Sequence, residues 1–184
     1  MIGQTATVTA LHPAPSISRI QHAFFLHFVQ RYEIVLPNAF LTWNMGEMDI
    51  CGVRKSGYVD EVEIKLSRAD FLADYRKTVE VETEETYVRC TLNRYDAIDK
   101  HTAVVAGQTH ANYYSFLMAE SLALKCVGDM AEQYGVYTYY IADQGCVQIK
   151  TMRTPKRLHA RKISDTLKYK IARKGVYRMW ELMC

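Results

Sequence analysis

The chain has 184 residues, of which 49% are apolar, 11% aromatic and 23% charged; this balance excludes disordered, collagenous and coiled-coil classes and fits one sizeable core rather than two. No apolar run approaches the roughly 18 residues of a membrane span, and the first residues lack the basic and apolar stretches of a secretory leader, so a cytoplasmic protein with no membrane partner is expected. The net charge of +3 hides a split: Lys150 to Arg178 carries eleven Lys and Arg against Asp165 alone, a charge of +10, leaving −7 for the rest. Such segregation points to a polyanion met by the C-terminal part. Five scattered cysteines with no C-x-x-C pair read as reduced thiols, not as a zinc or iron-sulfur site.

In chain order, Ser16 offers an N-cap, and Ile17, Ile20, Phe24, Phe28 and Val29 recur at helical spacing, which predicts a helix over 17–32. After Pro37 and Asn38 come three short apolar runs, 39–43, 47–53 and 59–66, read as strands. The second and third are joined by Arg54-Lys55-Ser56-Gly57, a tight antiparallel hairpin signal. Ser67 can cap a second helix whose apolar stripe, Ala69, Phe71, Leu72 and Tyr75, lasts to Lys77.

The stretch 78–108 opens on Glu80, Glu82, Glu84 and Glu85 and reads as a solvated insertion with hairpin character. A strand over 113–118, a short helix near 127–134 ended by Gly135, and a hairpin of 136–141 with 146–150 follow. A basic helix from about His159 to Trp180, weakened at Gly175, closes the chain. The whole is expected to be a single domain over 1–184, with its core at about 17–150, the insertion at about 78–108 and a basic extension at about 151–184.

The chemistry lies in the second and third strands. Side chains two apart on a strand share a face, so Glu47 projects with Asp49 and Glu63 with Lys65, while Met48, Ile50, Val62, Ile64 and Leu66 face the other way. A hairpin brings the two charged faces together. Ordinary alternation of a half-exposed sheet gives a similar pattern, but three carboxylates beside one amine are costly without a counter-ion. A divalent cation would neutralise the excess. Mg²⁺ takes hard oxygen ligands and keeps several waters, so carboxylates on adjacent strands suit it, and a neighbouring lysine can orient water and offset charge developing on phosphorus.

Asp49, thirteen intervening residues, then Glu63-x-Lys65 within helix-strand-strand-strand-helix resembles the PD-(D/E)xK nuclease superfamily, with Met48 before the aspartate. The resemblance implies an α/β fold with a restriction-endonuclease-like αβββαβ core, a mixed central sheet flanked by helices, and hydrolysis of DNA phosphodiesters with Mg²⁺ or Mn²⁺. In it Asp49 and Glu63 are metal ligands, Lys65 is the catalytic lysine, and Glu47 an auxiliary acid. A narrower similarity, through Glu63-x-Lys65-x-Ser67-x-x-Asp70-Phe71-x-x-Asp74-x-x-Lys77, Asn112-Tyr113-Tyr114-x-Phe116, Tyr134-Gly135-Val136, Ile149-Lys150 and Leu158-His159, is to the MmcB-like group of proposed bacterial and phage DNA-repair nucleases. The acidic insertion departs from that group.

Many superfamily members add a carboxylate from the first helix; Glu33 is the acid nearest to it. Ser67 and Lys77 are further auxiliary candidates, although on a helix their simplest roles are N-capping and, for Lys77 with Asp74, a surface ion pair. His22 and His27, and His101, His110 and His159, have no spacing that suggests a metal. The tyrosines of the strands read as core. Lys156, Arg157, Arg161, Lys162, Lys168, Lys170, Arg173 and Lys174 are expected to grip DNA phosphates without reading sequence. The alternative reading is an inactive nuclease-fold protein that binds nucleic acid or a protein partner; the sequence leaves homodimerisation open.

Overall fold

The computed structural model describes residues 13–40, 46–87, 90–142 and 145–181, and of the stretch 82–95 the backbone alone. Helix α1 spans Ile17–Phe28, where the Ser16 hydroxyl accepts from the Arg19 N–H and Ile20, Ala23 and Phe24 turn inward. A single 3-10 turn, Val29–Arg31, ends it. The chain is already extended at Tyr32, so strand β1, Tyr32–Ala39, occupies residues expected to close the helix or link it to a strand at 39–43. The run Tyr32, Ile34, Val35 and Leu36 has the β-branched and aromatic character that a pleated surface favours. Pro37 is tolerated because β1 is an edge strand. Residues 41–45 lie outside the described residues.

Strands β2, Met48–Arg54, and β3, Val59–Lys65, form the expected antiparallel hairpin. Gly57, at φ +83°, makes its turn. Helix α2, Arg68–Asp74, follows with Ser67 as its N-cap. The insertion is a two-stranded ribbon, β4, Thr78–Tyr87, against β5, Cys90–Asp99, and then helix α3, Lys100–Val105. Strand β6, Tyr113–Ala119, lies parallel to β3. Helix α4, Glu120–Cys126, precedes the 127–134 window expected for it; Glu120 in its first turn and Lys125 in its last suit the helix dipole. Strand β7, Gly135–Ile141, is parallel to β6, and β8, Val147–Arg153, antiparallel to β7.

The main sheet is therefore mixed, six-stranded and ordered β1-β2-β3-β6-β7-β8. Helices cover both faces, as parallel strands require. On one face, Ile20 and Phe24 of α1 pack against Ile50, Val62, Ile64, Leu117 and Tyr137; each such fully buried side chain contributes about 1.5–3 kcal/mol. On the other, Phe71, Val104, Ala123 and Cys126 from α2, α3 and α4 meet Tyr114, Phe116, Met118 and Val136.

A third cluster seats Ile163 and Ile171 on Ala39, Met48, Cys51, Val53 and Val59. Ile171 belongs to helix α5, Asp165–Glu181, which starts six residues later than the expected His159. The preceding segment runs extended because its backbone is claimed elsewhere: the N–H groups of Lys156, Leu158 and Ile163 donate to Gln133, Asn112 and Gly57 carbonyls. Ser164 then caps the helix by accepting from the Leu167 N–H. Gly175 does not interrupt α5. It lets the helix approach β1, for a Cβ there would lie 2.5 Å from a Leu36 methyl. Among the described residues, no helix is long and apolar enough to cross a membrane.

Candidate active site

The β2–β3 ladder runs from Val53↔Val59 to Ile50↔Val62, and continuing its register sets Asp49 opposite Glu63. There a side chain takes over from the backbone: Asp49 Oδ2 accepts from the Ile64 N–H at 2.7 Å. Its other oxygen has no protein partner among the described residues. Burial raises the Asp49 carboxyl above its ordinary pKa, and the neighbouring Glu63 charge raises it further.

Glu61, Glu63 and Lys65 alternate on the β3 face that α2 and α3 cover, and all three are buried. Lys65 Nζ lies 2.9 Å from Glu63 Oε2 and 2.8 Å from Asp74 Oδ1. Lys77 Nζ reaches the same two atoms, at 3.4 Å and 2.7 Å. Lys100 Nζ bridges Glu61 at 2.8 Å and Glu63 at 3.0 Å. Asp74 Oδ2 accepts from the Tyr114 hydroxyl at 2.8 Å and faces His101 Nε2 at 3.1 Å, while His101 Nδ1 meets the Tyr134 hydroxyl at 3.0 Å.

The titration directions follow from these contacts. Burial alone would push the Asp74 carboxyl up; the His101 hydrogen bond and the Lys100 and Lys65 charges outweigh it and hold Asp74 well below the ordinary carboxylate range. Burial likewise opposes Glu63 ionisation, and Lys100 and Lys65 reverse the sign. Glu61 stays raised by burial despite Lys100. For Lys65, burial favours the neutral amine, but Glu63 and Asp74 pull its pKa above the ordinary lysine value. Lys65 is therefore an ammonium at neutral pH, a donor rather than a base. Four carboxyl groups, Asp49, Glu61, Glu63 and Asp74, thus face three lysine amines, Lys65, Lys77 and Lys100.

Asp49, Glu63 and Lys65 are thus brought together, and Lys77 joins them. Asp74 is not the surface residue expected of helix 2: its side chain is fully buried, and the pair with Lys77 is one of four contacts it makes. Glu61, Lys100 and His101 were not anticipated. Glu61 was legible from strand alternation with Glu63, but Lys100 and His101 reach the site from beyond the β4–β5 ribbon and carry no local signal.

The remaining candidates lie apart from this cluster. Glu47 precedes β2 rather than lying within it, is 45% exposed, and has Arg178 Nη1 at 3.9 Å as its partner. Strand alternation therefore does not tie it to Asp49. Glu33 is an exposed residue of β1 paired with Lys168 at 3.2 Å. Ser67 accepts from the Asp70 N–H at 3.1 Å, the capping role expected of it. Of the basic set, Lys156, Arg157, Arg161 and Lys162 lie on the extended segment, not on a helix. Arg157 and Lys162 lie over the Tyr58 ring, at 5.5 Å and 5.4 Å, and Arg161 donates to the Gly107 and Thr109 carbonyls. Lys168, Lys170, Arg173 and Lys174 are on α5.

Among the described residues, no three His, Cys, Asp or Glu side chains gather as a metal-binding group. The donors present are hard oxygens: the open Asp49 Oδ1, and Glu63, whose oxygens are held by lysines. Two carboxylates fit Mg²⁺, which is commonly bound through one or two with substrate phosphate and water completing the shell. No family model matches the chain, and no curated protein matches it. Among solved structures it is similar to a protein of unknown function from Silicibacter pomeroyi, at 12% identity and a TM-score of 0.54, over 95% of this chain and 90% of that one. The likeness is one of fold.

Proposed function

We propose that the protein is a metal-dependent nuclease that hydrolyses DNA phosphodiester bonds. The observation that supports this reading best is the splayed end of β2 and β3, where an open Asp49 oxygen stands beside Glu63 and a protonated Lys65. Asp49 and Glu63 would hold Mg²⁺ or Mn²⁺, which when bound supplies Lewis-acid polarisation of the scissile phosphate. Asp49 is fixed by the Ile64 N–H, so its free oxygen keeps one direction. Lys65, clamped by Glu63 and Asp74, keeps one N–H donor to orient water, and its charge offsets that accumulating on the phosphate oxygens. Lys77 and Lys100 keep Glu63 ionised despite its burial.

The test is cleavage of labelled single-stranded, duplex and branched DNA with Mg²⁺ or Mn²⁺. Product should appear with the wild type and vanish with EDTA, Lys65→Ala or Asp49→Asn. Full metal-dependent cleavage by either variant would refute the assignment. One observation favours a second reading, an inactive nuclease-fold protein that binds nucleic acid: both Glu63 oxygens are already satisfied by lysines. Mn²⁺ titration followed by electron paramagnetic resonance separates the two, because that reading has no bound ion for Asp49→Asn to remove.

A further inference from the structure

Helix α5 presents an outer face that the core does not use. On a helix of 3.6 residues per turn, Tyr169, Arg173, Val176, Tyr177 and Trp180 fall within about 100° of one another. Ile171 and Gly175 occupy the opposite side, one buried and one against Leu36. Tyr169 is 65% exposed, and Tyr177 and Trp180 58% each. The Arg173 guanidinium lies 5.8 Å from the Tyr177 ring. Lys170 flanks the stripe and, like Arg173, has no ion pair among the described residues. Lys168 and Arg178 are by contrast engaged with Glu33 and Glu47.

The stripe leads toward the candidate active site. Lys174 Nζ donates to the Phe40 carbonyl and Arg178 to that of Asn38. The Asn38 side chain accepts from Gln21 Nε2, which also donates to the Asp49 carbonyl at 2.9 Å. The C-terminal half of α5 therefore sits at the end of the sheet that carries Asp49.

We infer that this face of α5 is a stacking platform that guides an unpaired DNA strand toward the Asp49 end of the sheet. The inference rests on the nuclease reading for its choice of DNA and deepens it by naming the single strand. Three exposed rings interleaved with free cations match the way single strands are held, by base–aromatic stacking plus phosphate contacts. Paired bases of a duplex offer no faces to such rings. From Tyr169 to Trp180 the helix rises about 16 Å, long enough for several nucleotides. A second copy of the chain fits less well, because an isologous contact through this face would bury Arg173 of both copies with no acidic residue in the stripe to meet them.

The test measures binding in EDTA, where cleavage cannot contribute, by fluorescence anisotropy of a labelled oligo(dT) of about fifteen nucleotides and of a duplex of equal length. Tyr169→Ala and Trp180→Ala should each weaken oligo(dT) binding about tenfold, leave duplex binding nearly unchanged, and be rescued by Tyr169→Phe and Trp180→Phe. Equal affinity for both DNAs, untouched by the alanine variants, would overturn the platform, as would tighter binding of oligo(rU) than of oligo(dT). Dimerisation lost in Trp180→Ala without any change in DNA affinity would reassign the face to self-association. The platform can fail while Lys65-dependent cleavage persists, and it can hold in a protein that does not cleave, so the two readings are judged separately.

Discussion

Replacing Asp74 with asparagine keeps the shape of the side chain and removes its charge. One carboxylate oxygen accepts from Lys65 and Lys77, at 2.8 Å and 2.7 Å, and the other from Tyr114 and His101, at 2.8 Å and 3.1 Å. An amide must set its NH₂ against either two ammonium groups or the hydroxyl and imidazole, so neither orientation satisfies all four partners. Removing one member of a buried ion pair costs about 3–5 kcal/mol. With an m-value of about 2 kcal/mol/M, the urea midpoint should fall by roughly 1.5–2.5 M.

The pH dependence gives an independent check. The folded-state pKa of Asp74 is depressed, so its stabilisation is complete above the unfolded value near 4 and drains away as pH falls through the folded one. Urea titrations of wild type and Asp74→Asn should show the full gap at pH 7, narrowing by about 1.4 kcal/mol per unit below pH 4. A midpoint shift under about 0.5 M, or a gap equally wide at pH 3, would refute the reasoning.

Lys100→Met should leave the fully buried Glu61 carboxylate without its counter-charge. Its already raised pKa would then climb further, so the variant should lose stability more steeply than wild type as pH rises from 5 to 8, where folding increasingly forces a proton onto Glu61; thermal melts across that range would show it. Glu47→Gln should leave metal-dependent cleavage within about twofold of wild type, because Glu47 faces Arg178; a loss comparable with that of Lys65→Ala in the same assay would return Glu47 to the catalytic set.

Asp49, Glu63 and Lys65 were legible because strand alternation is a local rule and the Gly57 hairpin fixes which faces meet. Asp74 was hidden by the same locality: three residues from Lys77 on a helix, it looked like a surface pair, and only the packing of α2 over β3 buries it. Lys100 and His101 depend on a ribbon whose closure no spacing encodes. The apolar stripe of helix 1 runs on through Val29 and Tyr32, past the point where α1 ends at Phe28. The start of the basic helix is not legible locally, because the backbone bonds that hold Lys156 to Ile163 extended come from Gln133, Asn112 and Gly57, far away in the chain.

The β4–β5 ribbon leaves the body between Lys77 and Thr78 and returns at Asp99 and Lys100, closed by Thr78↔Asp99 pairing and by the Lys100 N–H donating to the Lys77 carbonyl at 2.9 Å. The two lysines that flank this excursion both end on Glu63. The ribbon is thus a clasp whose base holds the site, while none of the contacts to Glu63 comes from its arm. Deleting opposed residues pairwise from its tip preserves the register at the base, so descendants of this chain are free to lengthen or trim the arm in even steps. Cutting it off at the base is a different matter, since the Thr78↔Asp99 pairing there sets where Lys77 and Lys100, two of the three cations on Glu63, leave the backbone.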